Sequence, residues 1–136
     1  MSKNKHNKLV GSEVERSDER VDATGEVFTP PWLVDEMIDS YPEECIKNPD
    51  SKFIDNSAGS GNFLVGLKSR LLKYHSEEYI LNHMLYAVEY MADNHKELCN
   101  RLGVPYDHPH YVCADALTYH YRFDETPTVV DLVQFM

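Results

Sequence analysis

Long apolar runs are missing from this 136-residue sequence, and cysteine is scarce. Without a run of about 18 apolar residues, no transmembrane helix is expected. The N-terminal residues also lack the apolar centre of a secretory signal. The three cysteines are never spaced as Cys-x-x-Cys, so we expect reduced, mostly buried thiols in a cytoplasmic protein rather than a disulfide or zinc framework. No Cys or acid completes a ligand set around His108 and His110, and no metal is expected.

Basic surface is also scarce. Residues 1–23 hold five basic and five acidic residues, so the whole net charge of −10 lies on residues 24–136. Proteins that hold nucleic acid by themselves normally present a basic face to the phosphates. The composition therefore disfavours stand-alone DNA binding and favours a small-molecule pocket or a partner subunit.

The sequence patterns predict one domain, residues 24–136, after a flexible polar arm, residues 1–23. In residues 30–41, apolar spacing predicts a helix whose inner face holds Trp32 or Leu33, Met37 and Tyr41. The same periodicity predicts helices over 63–74, 77–84 and 91–102, the last of them closed by Gly103.

Short apolar runs that end in an acid predict the strands. Phe53 and Ile54 precede Asp55, residues 85–88 precede Glu89, and residues 110–115 end at Asp115. Residues 129–135 are predicted as a fourth strand. This α/β alternation predicts a parallel sheet with helices on both faces, because the crossovers between parallel strands are right-handed.

The three strand-end acids predict a ligand site, because open α/β sheets bind ligands at the carboxyl ends of their strands. Gly59-Ser60-Gly61 follows the first strand and lets the backbone approach a ligand closely. A dinucleotide is disfavoured, since Leu64 replaces the third glycine of the fingerprint and three acids repel a pyrophosphate. Asp55, Glu89 and Asp115 suit a ligand with an amine, vicinal hydroxyls and an adenine amino group. S-adenosylmethionine fits this description.

Four segments, in the order expected, resemble motifs of the N6-adenine DNA methyltransferases of restriction–modification systems. IDNSAGSGNFL resembles their cofactor motif, and YAVEYMADNHKELCNRL resembles their ribose-binding strand and helix. VCADAL resembles their adenine-binding turn, and GEVFTPPWLVDEMID resembles the segment before the cofactor motif. The resemblance runs from about Gly25 to Leu117. It implies a partial or truncated Rossmann-like S-adenosylmethionine-dependent methyltransferase fold, of a phage or mobile-element form.

The resemblance also implies a role for each matching residue. Asp55 holds the methionine amine, Glu89 the ribose hydroxyls and Asp115 the adenine amino group. The other implied cofactor-binding residues form four groups. Ala58, Gly59 and Gly61 form the backbone cradle, and Asn62 and Phe63 start the helix beneath it. Tyr90 and Ala116 lie next to the adenine, and Phe28 and Thr29 close the pocket. The departures from the family motif, Asn56-Ser57 and Ala58-Gly59, keep the residues small.

Thr29-Pro30-Pro31-Trp32 has the outline of the family's catalytic tetrapeptide but stands in a different place. In the family, the tetrapeptide follows the adenine-binding turn. After Asp115, the nearest sequence is Thr126-Pro127-Thr128, which lacks the second proline and the aromatic. We therefore expect a cofactor-binding half with no catalytic residue of its own.

Three functions stay open at this point. The first is an N6-adenine DNA methyltransferase, or its amino-terminal part, that reaches DNA only with a second methyltransferase subunit. The second is a non-catalytic module that holds S-adenosylmethionine or S-adenosylhomocysteine as a sensor, decoy or accessory subunit. The third is a methyltransferase for a small or protein substrate, which the GEVFTP segment disfavours.

Overall fold

Three short parallel strands form the centre of the structure, a computed structural model that describes residues 29–123. They are β1 Phe53–Asp55, β2 Leu85–Glu89 and β3 Tyr111–Cys113, in the order β1-β2-β3. Both pairs are parallel, as predicted. Strand β3 ends at Cys113, two residues earlier than predicted. The predicted flexible arm, Phe28 and the predicted fourth strand lie outside the described residues.

Five α-helices accompany the strands within residues 29–123. They are α1 Pro31–Asp39, α2 Glu43–Lys47, α3 Asn62–Leu71, α4 Glu77–Tyr79 and α5 Ala92–Leu102, and α4 continues as the π-helical segment Ile80–Met84. Pro31 begins α1 at the position where its missing N–H costs nothing. Gly103 ends α5 in the left-handed conformation, as predicted. Within residues 29–123, no helix combines the length and the apolar character needed to cross a bilayer.

Helix α1 buries a different face from the one that the sequence predicts. Val34 and Ile38 are buried, and the exposed residues include three that were assigned to the inner face: Trp32, Met37 and Tyr41. The reason is the close approach of α3, where a Cβ on Gly66 would lie 2.7 Å from Val34 Cγ1. The missing side chain of Gly66 makes room for Val34, so the valine takes the inner position.

One hydrophobic core joins the helices to a single face of the sheet. Phe53, Leu85 and Tyr111 supply the strand side of this core, which also includes buried residues from α1, α2, α3, the π-helical segment and α5. On the opposite face, Val88 packs in a second cluster with Phe123, and no helical residue belongs to it. The predicted helices on both faces are therefore not found within residues 29–123. Two right-handed crossovers that advance in one direction, from β1 to β2 to β3, place their helices on the same face.

The cysteines are less buried than expected. Of the three free thiols, only Cys99 is buried, while Cys45 is partly buried and Cys113 is exposed. Burial raises the pKa of the Cys99 thiol to about 11, so this thiol stays protonated at neutral pH. Cys99 is a small apolar part of the core.

Candidate functional site

The glycine turn lies across the carboxyl end of the sheet. It follows β1, and the Ala58 N–H donates to the Val88 carbonyl of β2 at 3.3 Å. The turn closes on itself through the Gly61 N–H and the Ala58 carbonyl, 3.0 Å apart. Gly59 and Gly61 have φ of 58° and 100°, a left-handed conformation that other residues rarely adopt. These contacts confirm that the glycine turn and the end of β2 are neighbours.

Glu89 connects three parts of this edge. Its side chain is 7% exposed, and Oε1 accepts the Gly59 N–H at 2.8 Å. Oε2 accepts the Met91 N–H at 2.8 Å and a longer contact of 3.5 Å from Asn94 Nδ2. The carboxylate thus holds the glycine turn and the entry to α5 at the end of β2. A carboxylate has about four acceptor positions, so its two short bonds leave room for two hydroxyl donors once the Asn94 contact gives way.

Asp55 is the second acid at this edge. Its Oδ1 accepts the Ser57 N–H at 3.0 Å. Burial raises the pKa of the Asp55 carboxyl and the negative charge of Glu89 raises it further, while the Ser57 hydrogen bond acts in the opposite direction. Because the negative charge of Glu89 makes ionisation of Asp55 more costly, a cation beside Asp55 would be stabilised. This edge therefore suits a ligand that carries a positive amine.

Asp115 follows β3 at the same edge of the sheet, in a more open position. It is exposed, and its Oδ1 accepts the Leu117 N–H at 2.9 Å. The Ala114 N–H donates to the Glu89 carbonyl at 3.0 Å, which brings the Asp115 turn to the end of β2. Tyr90 is 66% exposed at the same end. Ala116 instead packs against the second apolar cluster, on the face opposite the helices.

The remaining predicted residues have contacts that the sequence did not show. Ala58 is buried and Phe63 packs against the main core, so their side chains serve the fold. Asn62 begins α3, as predicted, and its Nδ2 donates to the Thr29 carbonyl at 2.8 Å. Arg101, which was not predicted, donates from Nη1 to the Ser60 carbonyl at 3.0 Å. Basic residues are common in the last turn of a helix, where the helix dipole stabilises them, so no sequence signal distinguishes Arg101.

Gly61 has a packing role besides its place in the turn. A Cβ there would lie 2.6 Å from Leu98 Cδ1. We expect Gly61→Ala to lower the free energy of unfolding by about 1–2 kcal/mol for the left-handed backbone, and further for the crowding of Leu98. Gly103→Ala is the matched control, since its φ is also positive but its Cβ would meet nothing within 4 Å. Urea denaturation of both variants measures the difference, and equal losses would contradict the packing role.

No model of a known protein family matches this chain, and no curated protein matches it. Among residues 29–123, no three His, Cys, Asp or Glu side chains are grouped as a metal site requires. The order of the motifs and the contacts at the carboxyl edge of the sheet are therefore the observations that bear on function.

Proposed function

We propose that this chain binds S-adenosylmethionine, or its demethylated product S-adenosylhomocysteine, at the carboxyl edge of the sheet. One observation carries the proposal: the buried Glu89 carboxylate accepts the Gly59 N–H of the glycine turn at 2.8 Å. The neighbouring Asp55 carboxyl has its pKa raised by burial and, to a smaller extent, by the charge of Glu89. The turn provides backbone that approaches a ligand closely, and the two acids provide charge opposite to that of an amine.

Each acid has a partner on this ligand. Asp55 pairs with the methionine ammonium, Glu89 accepts the ribose hydroxyls, and Asp115 accepts from the adenine amino group. The exposed ring of Tyr90 offers a flat apolar surface for the adenine. The four motifs support the finer proposal of a Rossmann-like methyltransferase fold of the N6-adenine DNA methyltransferase type.

For the chain by itself, we favour the cofactor-binding module over the complete DNA methyltransferase. The sequence has no catalytic tetrapeptide after the adenine-binding turn, and its net charge of −10 repels the phosphates of DNA. In this proposal DNA is reached only through a partner chain, for which a second methyltransferase subunit is the best candidate.

Calorimetry with S-adenosylhomocysteine tests the proposal. The wild type is expected to bind one equivalent, and Asp115→Asn to bind roughly 10-fold more weakly, because it loses a charged acceptor. Glu44→Gln, an exposed change of the same charge on α2, is the control and should bind like the wild type. Absence of heat from the wild type with either nucleotide would refute the assignment.

Asp55→Asn is expected to stabilise the ligand-free protein at pH 7 while it weakens ligand binding. The folded-state pKa of Asp55 is raised above 3.8, so its contribution to stability is fully present below pH 3.8 and is lost as pH rises through the folded-state value. Asparagine has no proton to lose and so stays uncharged at pH 7, and it keeps an oxygen for the Ser57 N–H.

Thermal unfolding across the pH range checks this sign. The gain from Asp55→Asn should shrink as pH falls toward 3.8, because the wild-type carboxyl is then neutral as well. Asp50→Asn, in an exposed turn, should show no such gain at pH 7. A loss of stability at pH 7 on Asp55→Asn would contradict the electrostatic account of the site.

A further inference from the structure

Three hydrogen bonds connect α5 to the glycine turn and to the start of the described chain. Arg101 Nη1 donates to the Ser60 carbonyl at 3.0 Å and to Asn62 Oδ1 at 2.8 Å. Asn62 Nδ2 then donates to the Thr29 carbonyl at 2.8 Å. We call Arg101, Asn62 and Thr29 the clasp. Its members are far apart in sequence, so the tertiary fold alone brings them together.

Hydrogen-bond chemistry fixes the orientation of the Asn62 amide in the clasp. A guanidinium only donates, so Asn62 must offer Arg101 its oxygen, and its amide N–H groups are then directed elsewhere. Burial lowers the pKa of Arg101, but a guanidinium keeps its charge in proteins. This cation lies beside the first residue of α3, where the helix dipole disfavours positive charge. The acceptors on Ser60 and Asn62 offset that cost.

We infer that Arg101 is a positioning residue. Through Asn62, it holds Thr29 against the glycine turn and so fixes the position of Thr29 and Pro30 relative to the ligand site. The ligand part of this inference rests on the proposed function. The tether itself does not, since it consists of hydrogen bonds within the protein.

Asn62→Asp tests the tether separately from the stability of the fold. Aspartate keeps the acceptor for Arg101 and adds a favourable charge at the start of α3, but it has no N–H for the Thr29 carbonyl. We expect about 10-fold weaker binding of S-adenosylhomocysteine, the loss of about one hydrogen bond, with an unfolding midpoint that is not lowered. Trp32, the only tryptophan, is 49% exposed and follows Thr29 by three residues. Its emission should shift in the ligand-free variant.

Substitutions at Arg101 complete the experiment. Arg101→Met should weaken binding as much as Asn62→Asp, and Arg101→Lys should restore part of the affinity, because lysine keeps the charge but not the planar fork. Arg70→Met is the matched control, since Arg70 lies on α3 but pairs with the exposed Asp39 at 2.6 Å. It should leave both affinity and Trp32 emission unchanged.

The outcomes distinguish the clasp from the proposed function. If the wild type binds and Asn62→Asp matches it in affinity and emission, the clasp is refuted and the proposed function stands. If the wild type binds no S-adenosylhomocysteine, the proposed function fails, and with it the role of the clasp in ligand binding. The ligand-free emission then decides the tether: a shift in Asn62→Asp but not in Arg70→Met supports it, and equal emission refutes it.

Discussion

Glu89→Gln is expected to lower the free energy of unfolding by about 1–3 kcal/mol and to weaken S-adenosylhomocysteine binding by one to two decades. The carboxylate accepts the N–H groups of Gly59 and Met91, each at 2.8 Å, on separate oxygens. Glutamine has one oxygen, so one of these donors faces an NH2 group and loses its acceptor. A buried donor without a partner costs more than the net value of its hydrogen bond. Urea denaturation and calorimetry measure the two effects.

Asp115→Asn is the comparison for this variant. Asp115 is exposed, and its Oδ1 accepts one N–H, from Leu117; asparagine keeps that oxygen. It should therefore weaken ligand binding with little change in stability. If Glu89→Gln were as stable as the wild type, the hydrogen bonds to Gly59 and Met91 would not hold this edge together, and the account of the glycine turn would be wrong.

The second large effect is an absence of activity. Alone, the 136-residue chain is expected to transfer no measurable methyl group to DNA. Enzymes that modify a base first extrude it from the duplex. In the N6-adenine DNA methyltransferases that the motifs resemble, a polar-Pro-Pro-aromatic tetrapeptide then orients the amine of that base. Thr29-Pro30-Pro31-Trp32 has a structural role instead, because the Thr29 carbonyl accepts from Asn62 and α1 begins at Pro31. Orientation of this kind supplies a large part of an enzymatic rate, and the net charge of −10 repels the duplex.

Transfer of a labelled methyl group to unmethylated genomic DNA measures this, with an intact adenine methylase as the positive control. Asp55→Asn distinguishes true transfer from contamination, because only transfer by this chain depends on its own site. Incorporation that requires Asp55 would show that other residues replace the tetrapeptide. Activity that appears only on mixing with a second subunit would support the two-chain form of the proposal.

The three strands and their parallel direction were predictable, because short apolar runs alternate with segments of helical period. The finer placement was not. Asp115 lies two residues beyond β3 because the strand ends where its pairing with β2 ends, at Cys113 opposite Glu89. The inner face of α1 depends on Gly66 of another helix, which a local pattern does not contain. Helix α2 has only five residues, too few to show a helical period.

The candidate site was predictable in its acids and glycines but not in their contacts. Glu89 was assigned to ribose, and the structure adds that it holds the glycine turn in the ligand-free protein. This bond joins residues 30 positions apart, so no spacing rule reveals it. The clasp through Arg101 spans 39 positions to Asn62 and was missed for the same reason.

The most direct test of the central claim is a map of backbone amide shifts in the wild type during titration with S-adenosylhomocysteine. The account predicts that the largest changes occur at Gly59, Gly61, Tyr90 and the amides around Asp115, which share the carboxyl edge of the sheet. His108 and Lys52 precede β3 and β1 at the opposite edge, and their amides should shift little. Saturable changes confined to the opposite edge, or no changes at all, would contradict ligand binding at the carboxyl edge of the sheet.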